Sequence, residues 1–273
     1  MNSISISDQE FTQFQRFIYD AAGITLSSAK KALVAGRLAK RLVQHELASY
    51  SEYFRLLSSG EMPAEVQTAI DLLTTNETYF FREAKHFDLL KQQAVAVRPG
   101  AQPFRVWSAA SSTGEEAYGI AMVLADCLDG RQWEVMGSDI SARVLARARA
   151  GHYPAERATH IPPDYLKRFC LKGMGAQQGT LLIERSLRSR VQFVQVNLNA
   201  PLPQLGMFDI IFLRNVMIYF NEDTKRQVVG RVTSLLKPGG YFLIGHSESL
   251  NGITDAMQPV APSIYRKPSP AKT

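Results

Sequence analysis

A chain of 273 residues that is 45% hydrophobic and 21% charged can bury one large core or two modest ones, which excludes disordered and fibrous classes. Its longest apolar runs, such as 210–213 and 241–244, fall far short of the roughly 20 residues that span a membrane, and its N-terminus has no secretory pattern, so a cytoplasmic protein is expected. The formal net charge of +6 favours an acidic partner.

Residues 1–73 have the pattern of a small helical domain. Ser7 and Glu10 have the spacing of a capping box, and apolar residues then recur every three or four positions. A second helix, over 28–45, carries cations that we interpret as a docking face: Lys30, Lys31, Arg37, Lys40 and Arg41. Such a run is also typical of a solvated helix surface, and both interpretations stay open.

The rest of the chain alternates between strand and helix patterns. Residues 74–100, which begin with TTNETYFFRE, break the helical period and are interpreted as a linker. From 101 to 268 the alternation predicts an α/β fold with a mostly parallel sheet and helices on both faces. A glycine-rich turn between short strands predicts a small antiparallel β insertion over 166–192. Residues 269–273 are expected to form a disordered tail.

The segment RVWSAASSTGEE, residues 105–116, joins a predicted strand to a predicted helix through a loop of small residues. Such a loop lets a ligand approach the backbone, although it also simply permits tight packing. Glu115 and Glu116 would lie in the first helical turn, where they disfavour a pyrophosphate and favour a cationic ligand. This chemistry points to S-adenosylmethionine.

Polar residues also end the following predicted strands. Asp139 comes 25 residues after Gly114, where doubly wound folds place a carboxylate that accepts both ribose hydroxyls, although it could equally cap the next helix. Asn197 follows the third strand, where its amide could meet an adenine edge, although a lone asparagine is typical of turns.

The fourth predicted strand, FDIIFLRNVMIYF, ends in Arg214 and Asn215 at the same edge of the sheet. A methyltransferase acting on a base amino group would show a Pro-Pro-aromatic turn here, and the chain has Asn-Val-Met-Ile instead. Nucleic acid is therefore disfavoured as a substrate. The two cysteines have no zinc-ligand spacing, so no metal site is predicted.

The motifs TTNETYFFRE, VWSAASSTGEEAY, GSDI, LRNVMIYF and LKPGGYFLIGHSE, in this order, resemble the chemotaxis receptor methyltransferase (CheR) family. The resemblance implies methyl transfer from S-adenosylmethionine to glutamate side chains on the cytoplasmic methylation helices of a chemoreceptor. The products would be glutamyl methyl esters and S-adenosylhomocysteine. It also implies an N-terminal helical receptor-docking domain, a Rossmann-like methyltransferase domain and a β subdomain.

The resemblance also implies roles for individual residues. The implied cofactor contacts are Asn76, Thr78, Arg82, Glu116, Asp139, Asn197, Leu198, Asn215 and Val216. Glu116 would receive the methionine ammonium, and Arg82 would bind a carboxylate, either the cofactor's or the substrate's. Arg82 and Tyr219 are the candidate catalytic residues, and Tyr219 is equally consistent with a core aromatic residue. His246 is interpreted as structural.

The predicted β insertion carries three glycines that resemble a receptor-tethering loop of some family members: Gly173, Gly175 and Gly179. There a pentapeptide at the receptor C-terminus would add as a strand. The basic helix would then seat glutamate-rich receptor helices, and the protein is expected to act as a monomer without membrane insertion. Two other functions stay open: an adaptor that binds S-adenosylmethionine without turnover, and a methyltransferase acting on another substrate.

Overall fold

The computed structural model describes residues 4–97, 102–128 and 130–269. The helices are α1 (Asp8–Ala22), α2 (Lys31–Gln44), α3 (Tyr50–Ser58), α4 (Pro63–Leu73), α5 (Lys85–Ala96), α6 (Glu115–Cys127), α7 (Ala142–Ala150), α8 (Pro163–Phe169), α9 (Arg185–Arg188) and α10 (Glu222–Ser234). The strands are β1 (Phe104–Ser108), β2 (Trp133–Asp139), β3 (His152–Pro154), β4 (Cys170–Lys172), β5 (Thr180–Ile183), β6 (Val191–Gln195), β7 (Phe208–Leu213), β8 (Leu236–Ile244), β9 (Gln258–Ala261) and β10 (Ile264–Arg266). The predicted boundary at 100/101 and all but the first residue of the predicted tail lie outside the described residues.

The N-terminal unit consists of helices α1 to α4, as the pattern predicted. The capping box is confirmed, because Ser7 Oγ accepts from the Glu10 N–H at 3.2 Å and Glu10 Oε2 accepts from the Ser7 N–H at 2.8 Å. Phe14 is fully buried against aromatic rings of α3, which closes the core of the unit. Across the described residues, no helix has the length and apolar character to cross a membrane.

The main sheet confirms the predicted α/β class. In the described chain its strand order is β6-β2-β1-β7-β8-β10-β9, and the first five strands are parallel. Strand β10 runs antiparallel to β8, and β9 runs antiparallel to β10. Side chains alternate between the two faces: Val106 packs in the core with α6, and Trp107 packs in the core shared with α10 and the N-terminal unit.

A small antiparallel sheet with strand order β3-β5-β4 lies beside the main sheet. It confirms the predicted β insertion, but the predicted range 166–192 is wrong at its start. Strand β3 lies before that range and pairs with β5 over His152 to Pro154. The range is also wrong at its end, since β6 of the main sheet begins at Val191.

The predicted linker 74–100 is more than a connection, because it contains α5, which packs on α6. The two units also meet directly at the start of α7. Asp71 of α4 accepts from the backbone N–H groups of Ala142 and Arg143, each at 3.1 Å, and Gln67 donates to the Ile140 carbonyl at 3.0 Å. The N-terminal unit thus caps a helix of the α/β unit.

We expect Asp71→Ala to lower the free energy of unfolding by about 1–2 kcal/mol, because the N–H groups that start α7 lose their acceptor. Urea denaturation followed by circular dichroism measures this change. Asp20→Ala is the matched control, since Asp20 is exposed and pairs with Arg16 on the same helix, so its loss should change stability by less than about 0.5 kcal/mol. An equal effect of both substitutions would contradict the capping role.

Candidate active site

A cleft of about 940 Å³, counted with its open mouth, lies at the carboxyl edge of the parallel strands, and Ala22 and Ile24 of the N-terminal unit form one wall. This is the crevice where open α/β sheets bind ligands. It brings together every predicted cofactor residue: Asn76, Thr78, Arg82, Glu116, Asp139, Asn197, Leu198, Asn215 and Val216. Tyr219 lines the same cleft.

The small-residue loop between β1 and α6 is fixed by hydrogen bonds between its backbone and neighbouring segments. The Ser111 N–H donates to the Ser138 carbonyl at 2.7 Å, and Tyr153 Oη donates to the Thr113 carbonyl at 2.7 Å. Gly114 has a φ of +96°, and a Cβ there would lie 2.9 Å from Ala148 Cβ. Glycine is therefore required for both backbone conformation and close packing on α7.

The acidic pair after this loop is divided between two environments. Glu115 is fully buried away from the cleft, where Thr113 Oγ1 donates to it at 2.6 Å and Arg157 pairs with it at 3.0 Å. Glu116 lines the cleft and accepts from Ser108 Oγ at 2.7 Å and from Arg214 Nη1 at 2.8 Å. Burial raises the pKa of the Glu116 carboxyl despite Arg214. Glu116 alone of the pair can meet a ligand.

Asp139 closes the end of β2. Its Oδ2 accepts from the Ser112 N–H at 3.0 Å and its Oδ1 from the Ser141 N–H at 2.9 Å. Each carboxylate oxygen can accept a second hydrogen bond, so both can still bind hydroxyl groups in the cleft. Burial raises the pKa of Asp139 to about 6.

The linker forms the rim of the cleft. Ser112 Oγ donates to the Asn76 carbonyl at 3.0 Å, which joins the linker to the small-residue loop. Arg82 is half-buried, and its guanidinium donates to the Glu77 carbonyl at 3.4 Å and lies 5.7 Å from the Tyr79 ring centroid. Neither contact is an ion pair, so the guanidinium keeps donors for a carboxylate.

The two predicted asparagines are both held by protein groups. Asn197 Nδ2 donates to the Ala21 carbonyl at 2.7 Å, so its amide is partly used by the N-terminal unit. Asn215 has a φ of +57°, and its backbone N–H donates to Glu248 Oε2 at 2.9 Å. Ser112 and Asn215 in the cleft lining have positive φ, as do Phe81 and Glu83 on either side of the lining residue Arg82. Such strain is common at functional sites.

A largely buried polar network, which the sequence interpretation missed, extends from the lining of the cleft into the protein. Arg214 pairs with Glu116 and with Glu83, and Glu83 in turn contacts His86 and His246. Arg214 and Glu83 stood in quoted motifs without a role, and His86 is a lone histidine with no ligand spacing. The ligand atoms of Glu83, His86 and His246 lie within 4.8 Å of one another, but the adjacent Arg214 places a fixed positive charge against any metal ion there.

The predicted docking face on α2 is only partly exposed. Arg37 is half-buried and donates to the Leu73 and Thr74 carbonyls at 3.2 and 3.0 Å, and Arg41 pairs with buried Glu65. Lys31 pairs with Asp8 at 2.7 Å. Three of the five predicted docking cations thus bind groups within the N-terminal unit and the linker that follows it, and docking by the α2 surface stays a prediction. Lys30 and Lys40 are exposed.

The three predicted tether glycines lie in the turn between β4 and β5. A Cβ on Gly173 would lie 1.9 Å from the Gln177 carbonyl oxygen, so glycine is required for this turn. Among the described residues β4 is an edge strand, and it exposes Leu171, with Met174 in the turn 84% exposed. An unpaired edge with apolar side chains can accept an added strand.

Two domain models of one protein family together match nearly the whole chain. Residues 9–74 match the family described as CheR methyltransferase, all-alpha domain, and residues 76–265 match CheR methyltransferase, SAM binding domain. The chain belongs to the CheR methyltransferase family. It is therefore an S-adenosylmethionine-dependent methyltransferase, with a Rossmann-like domain behind the cleft and a helical domain in front of it.

Curated relatives of this CheR family member carry the name chemotaxis protein methyltransferase. The Escherichia coli K12 protein is 42% identical over 91% of this chain and 87% of its own length. Chemotaxis protein methyltransferase 2 of Pseudomonas aeruginosa is 40% identical over 94% of this chain and 92% of its own. Methylation in chemotaxis is accordingly its function. A solved glycopeptide N-methyltransferase, MtfA with S-adenosylmethionine, aligns over 58% of this chain and 48% of its own at 21% identity and a TM-score of 0.34, too distant to add to this assignment.

We expect cofactor affinity to fall as the pH drops below about 6, because protonation of Asp139 removes an acceptor for the ribose hydroxyls. Asp139→Asn should bind S-adenosylmethionine about 10- to 100-fold more weakly and lose this part of the pH dependence. Titration calorimetry between pH 5 and 8 measures both. Asp209→Asn, at the opposite end of the sheet beside Lys237, is the control and should bind normally. Unchanged affinity in Asp139→Asn would remove Asp139 from the site.

Proposed function

We propose that this protein methylates glutamate side chains on the cytoplasmic methylation helices of chemoreceptors, forming glutamyl methyl esters and S-adenosylhomocysteine. The observation that carries the proposal is the cleft itself, whose lining combines the carboxylates of Glu116 and Asp139 with Arg82 and Tyr219. Within its described lining no histidine stands beside a serine or cysteine nucleophile. A glutamate acceptor needs none, since it is ionised at neutral pH.

The charge balance of the cleft supports a cationic methyl donor. When ionised, Glu83 and Glu116 together carry two negative charges against the single positive charge of Arg214. Because uncompensated buried charge is costly, a ligand with a cationic group is favoured there. Glu116 would bind the ammonium of S-adenosylmethionine, Asp139 the ribose, and Asn197 with Leu198 the adenine. The bound donor supplies a methyl group on a positively charged sulfur.

The acceptor end rests on Arg82 and Tyr219. Arg82 would hold the substrate carboxylate through its free donors, and the Tyr219 hydroxyl would orient it toward the donor. The backbone of Tyr219 is fixed, since its carbonyl accepts from the Thr25 N–H at 2.8 Å. The carboxylate oxygen forms the ester bond as the sulfur–methyl bond breaks, so no proton leaves. Positioning and exclusion of water would supply most of the rate.

Two surfaces would bring the receptor to this cleft in the cytoplasm. Lys30 and Lys40 give the N-terminal unit exposed positive charge suited to glutamate-rich helices. The edge of β4, with Leu171 and the glycine turn at 173–179, would take a receptor C-terminal pentapeptide by strand addition.

Transfer of labelled methyl from S-adenosylmethionine to chemoreceptor cytoplasmic fragments tests the proposal. We expect label that mild base releases as methanol, because glutamyl methyl esters hydrolyse readily. Fragments with and without the terminal pentapeptide test the tether, whose removal should raise the KM for the fragment. Label that resists base would indicate another substrate group. Cofactor binding without turnover on any fragment would indicate an adaptor.

In the same assay, Lys30→Glu with Lys40→Glu should raise the KM for a receptor fragment at least 5-fold at low salt and leave cofactor affinity unchanged, because only long-range attraction is lost. Arg147→Glu with Arg185→Glu is the matched control for the change in net charge, since both residues are exposed on the methyltransferase domain. Equal effects in the two double variants would show that overall charge, and not the α2 surface, matters.

A further inference from the structure

Glu83 lies at the centre of the buried network, although it does not line the cleft. Its Oε1 accepts from the His246 backbone N–H at 3.1 Å. Its Oε2 lies 3.2 Å from Arg214 Nη2 and 3.4 Å from His86 Nδ1. Burial by itself would raise the pKa of Glu83, but Arg214 and the His246 N–H outweigh burial and lower it. Glu83 is therefore a buried, charged carboxylate.

Arg214 is shared between Glu83 and the cofactor side of the site. Its side chain is 2% exposed, and Nη1 donates to Glu116 Oε2 at 2.8 Å. Nη2 donates to the backbone carbonyl of Arg82, a candidate catalytic residue. Because the guanidinium is planar with fixed donor directions, these acceptors set its orientation. Without the Glu83 carboxylate, the positive charge of Arg214 would be paired with Glu116 alone and would neutralise it.

His86 does not cancel the charge of Glu83. His86 Nε2 lies 2.9 Å from Ser263 Oγ. Burial and the nearby Arg214 lower the pKa of His86 to about 4, so the ring is neutral near neutral pH and leaves the charge of Glu83 in place. His246 Nε2 is 3.8 Å from Glu83 on the exposed side. With both carboxyls ionised, the group of Glu83, Glu116 and Arg214 thus carries one excess negative charge.

We propose that Glu83 is a positioning residue for the cofactor, which acts through Arg214: it keeps Glu116 from full neutralisation and so preserves the negative charge that receives the ammonium group. This inference rests on the proposed role of Glu116. Glu83 also helps to hold the backbone before it, because Arg214, with which it pairs, donates to the Arg82 carbonyl. Glu83 itself has a φ of +59°, a conformation that such contacts must support. One carboxylate would thereby serve both ends of the cleft.

Calorimetric binding of S-adenosylmethionine to Glu83→Gln tests the inference, since glutamine keeps the size and the acceptor but removes the charge. We expect affinity to fall about 10-fold. We also expect the KM for the donor to rise more than kcat falls. The part of the acid-side loss of affinity that comes from protonation of Glu116 should shift to lower pH in Glu83→Gln, because the charge of Glu83 helps to raise the Glu116 pKa. Glu134→Gln, which removes the carboxylate paired with Arg105 at 2.8 Å on a distant surface, is the matched control.

Two further variants separate the possible outcomes. Glu83→Asp keeps the charge and should bind within about 3-fold of the original protein, whereas a purely structural role would make it as weak as Glu83→Gln. If Glu116→Gln binds weakly while Glu83→Gln binds normally with an unshifted acid limb, the inference is wrong and the proposed function stands. If Glu116→Gln binds normally, the ammonium assignment itself is wrong. Should Glu83→Gln fail to fold, weak binding by folded Glu83→Asp would overturn the inference.

Discussion

The burial of one guanidinium, that of Arg214, ties together three parts of the chain at the carboxyl edge of the sheet. Arg214 follows β7, pairs with Glu116 of α6, and binds the Arg82 carbonyl in the linker. A buried charge is tolerated only when its donors are paired, so the strand end, the helix start and the linker must converge for the protein to fold. The proposed cofactor residues on these three segments take their positions from that requirement.

The second constraint is the contact between the helical unit and the α/β unit. Arg37 of α2 binds carbonyls at the start of the linker, Asp71 caps α7 beside Asp139, and Asn197 binds Ala21. These hydrogen bonds hold the N-terminal unit in place, and that unit supplies the wall of the cleft that the α/β unit does not form. The helical unit thus forms part of the cleft, in addition to the receptor-binding surface that we propose for it.

The sequence predicted the strand and helix alternation and the residues at the strand ends, because parallel strands bring their carboxyl ends to one edge. The residue pattern alone did not distinguish Glu115 from Glu116, which only the family resemblance separated, since neighbouring helical residues point about 100° apart and the pattern does not show which one faces a ligand. The sequence predicted Arg37 on the surface because long cationic side chains are usually exposed, but its guanidinium donates to a backbone carbonyl of the linker. Three-residue β3 has too little pattern to be found, and its pairing with β5 is non-local.

Because the boundary between the two units runs through the cofactor cleft, the units are not interchangeable modules. A chimera that joins the helical unit of one family member to the α/β unit of another would pair a foreign Ala21 carbonyl and Asp71 with the native Asn197 and α7. If the helical unit selects the receptor as proposed, changes in that unit would also alter the cleft that binds the methyl donor. Substitutions at the boundary between the two units should evolve in compensating pairs, one on each side of the cleft.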